Sequence, residues 1–339
     1  MGTSITSLMD IARQGLMADQ EALNVTSKNV ANQKTAGYTR EVVNFQSVDA
    51  VTLSGGTVGS GVTASATSQR DRVLEQQVQQ QTQTQAQSGA LESALGQIQN
   101  VFGLSSTPTD ASSTVPGAAI NSFFSALSAL TGNPSDTALR QNVLTTADSV
   151  ASAFNSTANQ LAQIFSGLNQ RVVSDVGQVN SLTTTIASLN TQITSLSPNA
   201  DAGTLEDQRQ LAITQLSQLV GLDQISTENN GITLTTSGGA LLVGGDQAFA
   251  VSTTQVGGVT HVLAGVGSQD VTSNLTGGDL GGTLQARDQQ LPSYQNALDS
   301  FAVGIVTTVN QQNEQGVDAN GNNGGMLFSF PSNQLRAAA

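Results

Sequence analysis

Asp318-Ala319-Asn320-Gly321-Asn322 sets three oxygen-bearing side chains on alternate positions, the spacing with which a loop can surround a hard cation. The register then fails. Asn323 stands where such a loop needs glycine, and Ser329 stands where it needs a bidentate glutamate, so the segment reads as a turn. His261 is the single histidine and lies in an apolar run with no carboxylate near it in sequence, which fits a solvent-facing strand position rather than a metal ligand or a general base. Glu206 and Asp207 are adjacent carboxylates, but neighbours on a helix diverge by about 100°. Negative charge at a helix start is the sufficient reading. The glycine pairs Gly55-Gly56, Gly238-Gly239 and Gly244-Gly245 lack both the dinucleotide spacing and a phosphate-loop lysine, and read as hairpin turns. Asn24-Val25-Thr26, Asn155-Ser156-Thr157 and Asn274-Leu275-Thr276 match glycosylation acceptors by pattern alone. No cofactor and no metal is expected, and no convergent acid–base set that a hydrolase would need is present.

The elements that carry these residues hold the stronger signal. Ile5, Leu8, Ala12, Leu16, Leu23 and Val30 recur mostly at spacings of three, four or seven and form one apolar stripe on an N-terminal helix. Asn32 and Gly37 break it, and a β-branched run starts at Val42. Such a helix must dock on the chain's far end, on other subunits or on a membrane. A membrane-surface helix wants basic residues along its polar face, whereas Arg13 and Lys28 face Asp10, Asp19 and Glu21, and no aromatic residue is present. Helix-to-helix packing is the better reading. Alone, a helix of this length is marginal in water, so residues 4–32 are expected to be mobile in the monomer.

Tyr38 to Gln46 and Gly61 to Ala66 read as extended. A long helix follows from about Asp71 to Phe102 on a stripe of Leu74, Val78, Leu91, Leu95, Ile98 and Phe102, with a Gln/Thr run at 76–87 that reads as a solvated face. Ser105 to Pro116 is a loop. A short helix with Ile120, Phe123, Phe124, Leu127 and Leu130 inside ends at Thr131-Gly132-Asn133-Pro134. The longest helical run spans about Asp136 to Leu196, and Val172, Val176, Val179, Leu182, Ile186, Leu189, Ile193 and Leu196 form a coiled-coil-like seam. Charged flanking partners are scarce, so the seam is expected to pack on the helices containing Leu95 and Phe301. After the loop at Pro198 to Gly203, Thr204 is expected to cap a helix to Val220, with Gly221 just past its end. Short β-rich runs then lie at Ile232–Thr236, Ala240–Val243, Ala248–Thr253 and Val259–Ala264. Helix returns from Thr283 with a stripe of Tyr294, Leu298, Phe301, Ile305 and Val309, kinked or restarted by Pro292.

These segments give a mainly α chain with an inserted β domain. The expected divisions are an N-terminal amphipathic assembly helix at 1–37, a helical bundle-like middle domain at 38–220 with 281–330, a small antiparallel β domain at 221–280, and an irregular tail at 331–339. The ends of the β domain should lie close together, so that it can be excised. A net charge of −13 with no basic patch excludes nucleic acid as a partner. There is no cysteine, hence no disulfide framework and no thiol chemistry. No apolar run is long enough for a transmembrane helix, and the N-terminus has no cleavable signal, so the chain stays inside the cell or leaves by a route that cleaves none.

The segment Ala31-Asn32-x-x-Thr35-x-Gly37-Tyr38-Thr39-Arg40 resembles the N-terminal signature of the flagellar rod, hook and hook-associated proteins. Its Gly-Tyr-Thr-Arg ending is of the hook-associated kind, where rod and hook members usually carry Gly-Phe. Three further segments are similar in the same order: Val58-Gly59-Ser60-Gly61-Val62 with Gln69-Arg70, Leu205-Glu206-Asp207-Gln208-Arg209-Gln210-Leu211, and Leu280-Gly281-Gly282-Thr283-Leu284. The tract from Asn310 to Gly325 is also similar. Each is weak alone; together they span most of the chain. The resemblance implies a non-enzymatic structural subunit of the bacterial flagellum at the hook–filament junction. It would be secreted through the flagellar type III export apparatus and assemble by helix packing with copies of itself, with hook protein and with the next hook-associated protein. Ile5, Leu8, Ala12, Leu16, Leu23 and Val30 would form the assembly stripe, and Asn32 to Arg40 would set the angle between the terminal helix and the middle domain. Family members end in a second long amphipathic helix. The tail Pro331–Ala339 has no heptads, so the resemblance leaves open here the export chaperone that the family binds through that helix. A different class of reading, a secreted adhesin using the β domain, has little to offer a ligand, since Phe249 is the one aromatic side chain between Gly221 and Asp279.

Overall fold

A computed structural model describes residues 2–48, 51–53, 56–58, 61–103, 116–196, 202–226, 231–265, 267–318 and 321–329. The chain starts with helix α1 (Gly2–Asn32) and continues into strands β1 (Glu41–Val48), β2 (Val51–Leu53), β3 (Gly56–Val58) and β4 (Gly61–Ser68). Helices α2 (Arg72–Val101), α3 (Pro116–Gly132), α4 (Thr137–Ser195) and α5 (Gly203–Leu219) follow. Strands come next: β5 (Leu222–Ser226), β6 (Ile232–Thr236), β7 (Leu241–Gly244), β8 (Gln247–Ala248), β9 (Ser252–Val256), β10 (Val259–Ala264) and β11 (Gln269–Asp270). Helix α6 (Gly278–Gln285), a π-turn at Ala286–Gln290 and helix α7 (Leu291–Gln315) complete the succession of described elements. The mainly helical architecture with an N-terminal helix and small antiparallel sheets is the one the sequence implies. The expected loops at Ser105–Pro116 and Pro198–Gly203 fall largely outside the described residues, as does the tail at 331–339.

The helix starts follow from local chemistry. Asp71 Oδ1 accepts the backbone N–H groups of Val73 and Leu74 at 3.0 and 3.1 Å, and Asp136 Oδ1 accepts those of Ala138 and Leu139 at 2.8 and 3.3 Å. Thr204 does not cap α5. The helix begins one residue before it, with Ala202 at the capping position and no side-chain hydrogen bond there. Gly221 is needed for close approach rather than for a left-handed cap. A Cβ there would lie 2.1 Å from the Thr276 carbonyl oxygen, to which Gly221 N–H donates at 3.0 Å. This contact brings the two ends of the β-rich insert together.

The chain folds as two compact units. The first comprises residues 1–84, 176–252 and 262–277; the second comprises residues 85–175, 253–261 and 278–339. In the first unit, β1 and β4 pair antiparallel from Glu41 opposite Ser68 to Val48 opposite Gly61. The four-stranded sheet has the order β5-β6-β7-β8, with Leu234, Leu242 and Val243 fully buried. The second half of α4 lies on this sheet. Asn190 Nδ2 donates to the carbonyls of Ile232 and Gly245 at 2.9 and 2.7 Å, and Asn180 both donates to Val251 O and accepts from Val251 N–H. The seam is therefore largely buried as far as Ile193, and from Val176 onward its contacts within the first unit are with the sheet and α5. Leu196 is exposed.

In the second unit, the first half of α4 packs with α2, α3 and α7 around Ile98, Phe123, Phe154, Leu161 and Leu298. Phe154 and Phe301 meet with ring centroids 5.7 Å apart, and Phe123 and Phe328 at 5.9 Å. Buried Asn310 pins the segment after α7, donating to Phe328 O and accepting from the N–H groups of Leu327 and Phe328. Pro292 marks a restart. The π-turn ahead of it absorbs the missing donor, and Pro292 falls in the first turn of α7. That widened turn buries Arg287, whose Nη1 donates to Thr260 O at 2.6 Å and to Asn169 Oδ1 at 3.1 Å. The buried face of α7 runs through Leu291, Gln295, Leu298 and Ala302, leaving Tyr294 and Phe301 at its exposed edge. The α2 stripe is displaced likewise. Leu74 and Val78 are exposed, whereas Gln79 and Gln83 of the expected solvated run are buried, and Gln83 Nε2 donates to Leu222 O at 3.2 Å.

Candidate functional site: an outward helix face and its joint

Helix α1 carries most of its large apolar side chains on the outer side. Ile5, Leu8, Ala12, Leu16, Leu23 and Val30 all face outward, Leu8 at 72% exposure, with Met9 and Met17 beside them. The opposite side is covered, with Ala18 at 3% and Val25 at 2%. It lies on β4 and β1, so part of the helix is satisfied by the hairpin that directly follows it, a partner that the periodicity does not reveal. The close fit depends on Gly61, where a Cβ would stand 1.8 Å from Gln14 Oε1. Small residues on the inner face let the helix sit down on the hairpin. The larger residues are left in water, where burial of each would contribute about 1.5–3 kcal/mol.

Asn29, on the inner side near the end of α1, ties the helix to the hairpin. Its Oδ1 accepts from the Tyr38 hydroxyl at 2.9 Å and from Glu41 N–H at 3.0 Å, and its Nδ2 donates to Glu41 O at 2.9 Å. Glu41 is itself buried, and its carboxylate faces Lys28 Nζ at 3.7 Å. Between them the chain turns. Asn32 O accepts Thr35 N–H, Asn32 Oδ1 accepts the Thr35 hydroxyl, and Asn32 Nδ2 donates to Lys28 O. Gly37 has a φ of +82°, which favours glycine, and sits over Leu211 of α5. Ala31 is exposed at the helix end. Arg40 contributes its carbonyl, which accepts Gln69 N–H at 2.9 Å.

Asp207 is the hub of the joint. Its Oδ2 accepts Thr39 N–H at 3.0 Å, and its Oδ1 pairs with Arg70 Nη2 at 2.5 Å. Arg70 also reaches Glu206 O and the Glu75 carboxylate, each at 3.4 Å. Burial pushes the Glu75 carboxyl up, with Arg70 pulling the other way. Behind it, Arg209 donates to Asn190 Oδ1 at 2.8 Å, and burial lowers its guanidinium to about 10, leaving it charged at neutral pH. Helix-start charge is thus an insufficient account of Glu206-Asp207. Thr39, Arg70 and Asp207 come from three segments that the sequence shows only as separate motifs. The hub was hidden because its partners lie 168 and 137 residues away. Asn29 lies just before the signature and gives no periodic signal of its own. The fourth motif lies in the second unit, where Gly282 of α6 packs against α2. A Cβ there would come 2.3 Å from Gln87 O.

The other candidate residues have local roles of their own. Asp318 spends its carboxylate on a turn, accepting Asn322 N–H at 2.8 Å and its side-chain amide at 3.1 Å, while Ala319 and Asn320 lie outside the described residues. His261 is half-buried in β10. Gly239 and Gly245 occupy turns with positive φ, and Gly55 lies outside the described residues. Among the described residues, no group of three His, Cys, Asp or Glu side chains could hold a metal, and no helix is long and apolar enough to cross a membrane.

An outward apolar helix face and a polar joint at the end of that helix are what the arrangement presents. Residues 95–328 match the family described as the flagellar hook-associated protein FlgK helical domain, and residues 9–39 match the flagella basal body rod protein family. The chain therefore belongs to the flagellar hook-associated protein FlgK family. It is 30% identical to flagellar hook-associated protein 1 of Salmonella typhimurium over 97% of its length and 29% identical to that of Escherichia coli K12 over 96%. It spans 60% of each of those relatives, and 72% of the Bacillus subtilis protein of the same name, at 27% identity. The structure of the flagellar hook junction protein FlgK from Burkholderia pseudomallei matches with a TM-score of 0.64 and 32% identity, covering 75% of this chain and 46% of that one.

Proposed function

We propose that this chain is a structural, non-catalytic subunit of the bacterial flagellum at the hook–filament junction, outside the cell. It assembles by packing helices against neighbouring subunits. The observation that carries this reading is the outward stripe of α1, whose large apolar side chains stand exposed among the described residues. Ile5, Leu8, Ala12, Leu16, Leu23 and Val30 form the interface, and Ala31, Asn32, Thr35, Gly37, Tyr38, Thr39 and Arg40 hold it at a set angle. The partners are copies of itself, hook protein and the next hook-associated protein, delivered through the flagellar export apparatus. Residues 1–37 act as the assembly element, with the helical middle segments and the β-rich insert as its support. The test is binding to purified hook fragments, scored by negative-stain microscopy. Leu16→Asp with Leu23→Asp should abolish binding at hook tips while circular dichroism stays unchanged, because both residues already face water. Tip binding equal to that of the parent chain would reject the interface.

A further inference from the structure

The chain has no cysteine, so its four methionines carry all of its sulfur. Three of them are described and all three are exposed, Met9 at 69%, Met17 at 55% and Met326 at 74%. Two of the three lie on α1. Met9, Leu16, Leu23 and Val30 follow one another at intervals of seven, two helical turns each. Met9 therefore stands in one outward row with three residues of the stripe, a place that the spacing of leucine, isoleucine and valine alone does not show. Met17 comes directly after Leu16 and flanks that row. Met326 lies in the second unit, past the end of α7. A thioether is flexible and apolar and adapts to irregular apolar surfaces, whereas its oxidation product is polar.

We propose that Met9 and Met17 are oxidation sites through which a hydroperoxide switches off the association surface of α1. The inference rests on the reading of that surface as the assembly interface. In the free chain the thioether sulfur attacks the outer oxygen of the peroxide. An S–O bond forms and the O–O bond breaks. The sulfur loses two electrons and becomes the sulfoxide. The peroxide is reduced to water or an alcohol, the proton of the transferred oxygen passing to the departing one. Both side chains already stand in water, so the sulfoxides stay solvated, and the inner face of Ala18 and Val25 keeps α1 on its hairpin. The cost falls on association, because seating Met9 among apolar neighbours would strip a strong hydrogen-bond acceptor of its water. Assembly covers the same sulfurs, so the reaction acts on the unassembled subunit. It is undone by the two methionine sulfoxide reductases, one for each sulfoxide epimer.

Hydrogen peroxide is the probe, peptide mass spectrometry locates the added oxygen, and affinity for purified hook fragments is the readout. Peroxide should add oxygen at Met9 and Met17, leave helical circular dichroism unchanged and weaken binding by about tenfold or more. Treatment with both reductases should restore the binding. Met326→Leu should lose affinity on oxidation to the same degree as the parent chain. In Met9→Leu with Met17→Leu, whatever its starting affinity, peroxide should change binding by less than about twofold. A parent chain oxidised at both positions that binds as tightly as before overturns the switch and leaves the interface standing. An equal loss in the double leucine variant also overturns it, because the effect then comes from another residue. A parent chain that binds no hook fragment before oxidation rejects the interface, and the switch with it.

Discussion

Replacing Asp207 with alanine should unfasten the N-terminal helix without touching it. Asp207 and Arg70 are each 13% exposed in their side chains. Removing one partner of a fully buried pair costs about 3–5 kcal/mol, and the remaining solvent contact reduces this to about 2–3. The Thr39 N–H, which donates to the same carboxylate, loses its acceptor at a further cost of about 1 kcal/mol. Arg70 can lean further toward Glu75, already 3.4 Å away, and recover part of the loss. The net expectation is about 3 kcal/mol, or a local opening constant raised somewhat over a hundredfold. Because the chain has two units, the assay should be segment by segment. Hydrogen exchange should show the loss at Gly37–Arg40 and the last turns of α1, with the second half of α4 little affected. Asp207→Asn keeps an acceptor for Thr39 and should cost about half as much. Pairing Asp207→Ala with Arg70→Met removes the stranded cation and should recover about 1–2 kcal/mol, a coupling that a double-mutant cycle reads directly. A change below about 0.5 kcal/mol in Asp207→Ala would refute the hub.

Other consequences follow from packing. Leu189→Ala, at a site 6% exposed, should cost about 2–5 kcal/mol in urea denaturation, and unchanged stability would mean that the seam has no partner in the chain. Gly282→Ala drives a Cβ against Gln87 O and should cost about 1–3 kcal/mol with faster exchange in α6; a neutral result would mean that α6 is not seated on α2. Excising the β-rich insert between Leu222 and Gly281 removes a segment whose Thr276 O accepts Gly221 N–H, and it strips the sheet from Asn180 and Asn190. Helical circular dichroism should fall by more than the deleted share, and a loss no larger than that share would show α4 to be self-sufficient.

Much of the framework was legible because it rests on local chemistry. Asp71 and Asp136 announce helix starts through their side-chain oxygens, and Gly239 and Gly245 mark turns that need positive φ. Periodicity found the stripe of α1, but a period cannot say whether a stripe faces the chain or its neighbours. The inward face of Ala18 and Val25 is too small to stand out, and its partner is a hairpin whose register no local signal reveals. The same limit hid the asparagines of α4. Asn169, Asn180 and Asn190 look like polar interruptions of a helix, yet each clamps the backbone of the β-rich segment. The role of Asp207 is hidden for a related reason: helix-start charge is an adequate local explanation, and the Arg70 and Thr39 contacts that exceed it are entirely nonlocal.

The central claim, that the exposed stripe of α1 is the assembly interface, is open to a direct reading because the chain has no cysteine. Single cysteines at Leu23, on the outer face, and at Val25, on the inner face, can be alkylated before and after the protein is bound to hook fragments. The account predicts fast alkylation at position 23 in the free chain and strong protection in the complex, with position 25 slow in both. Undiminished alkylation at position 23 in hook-bound protein would contradict it.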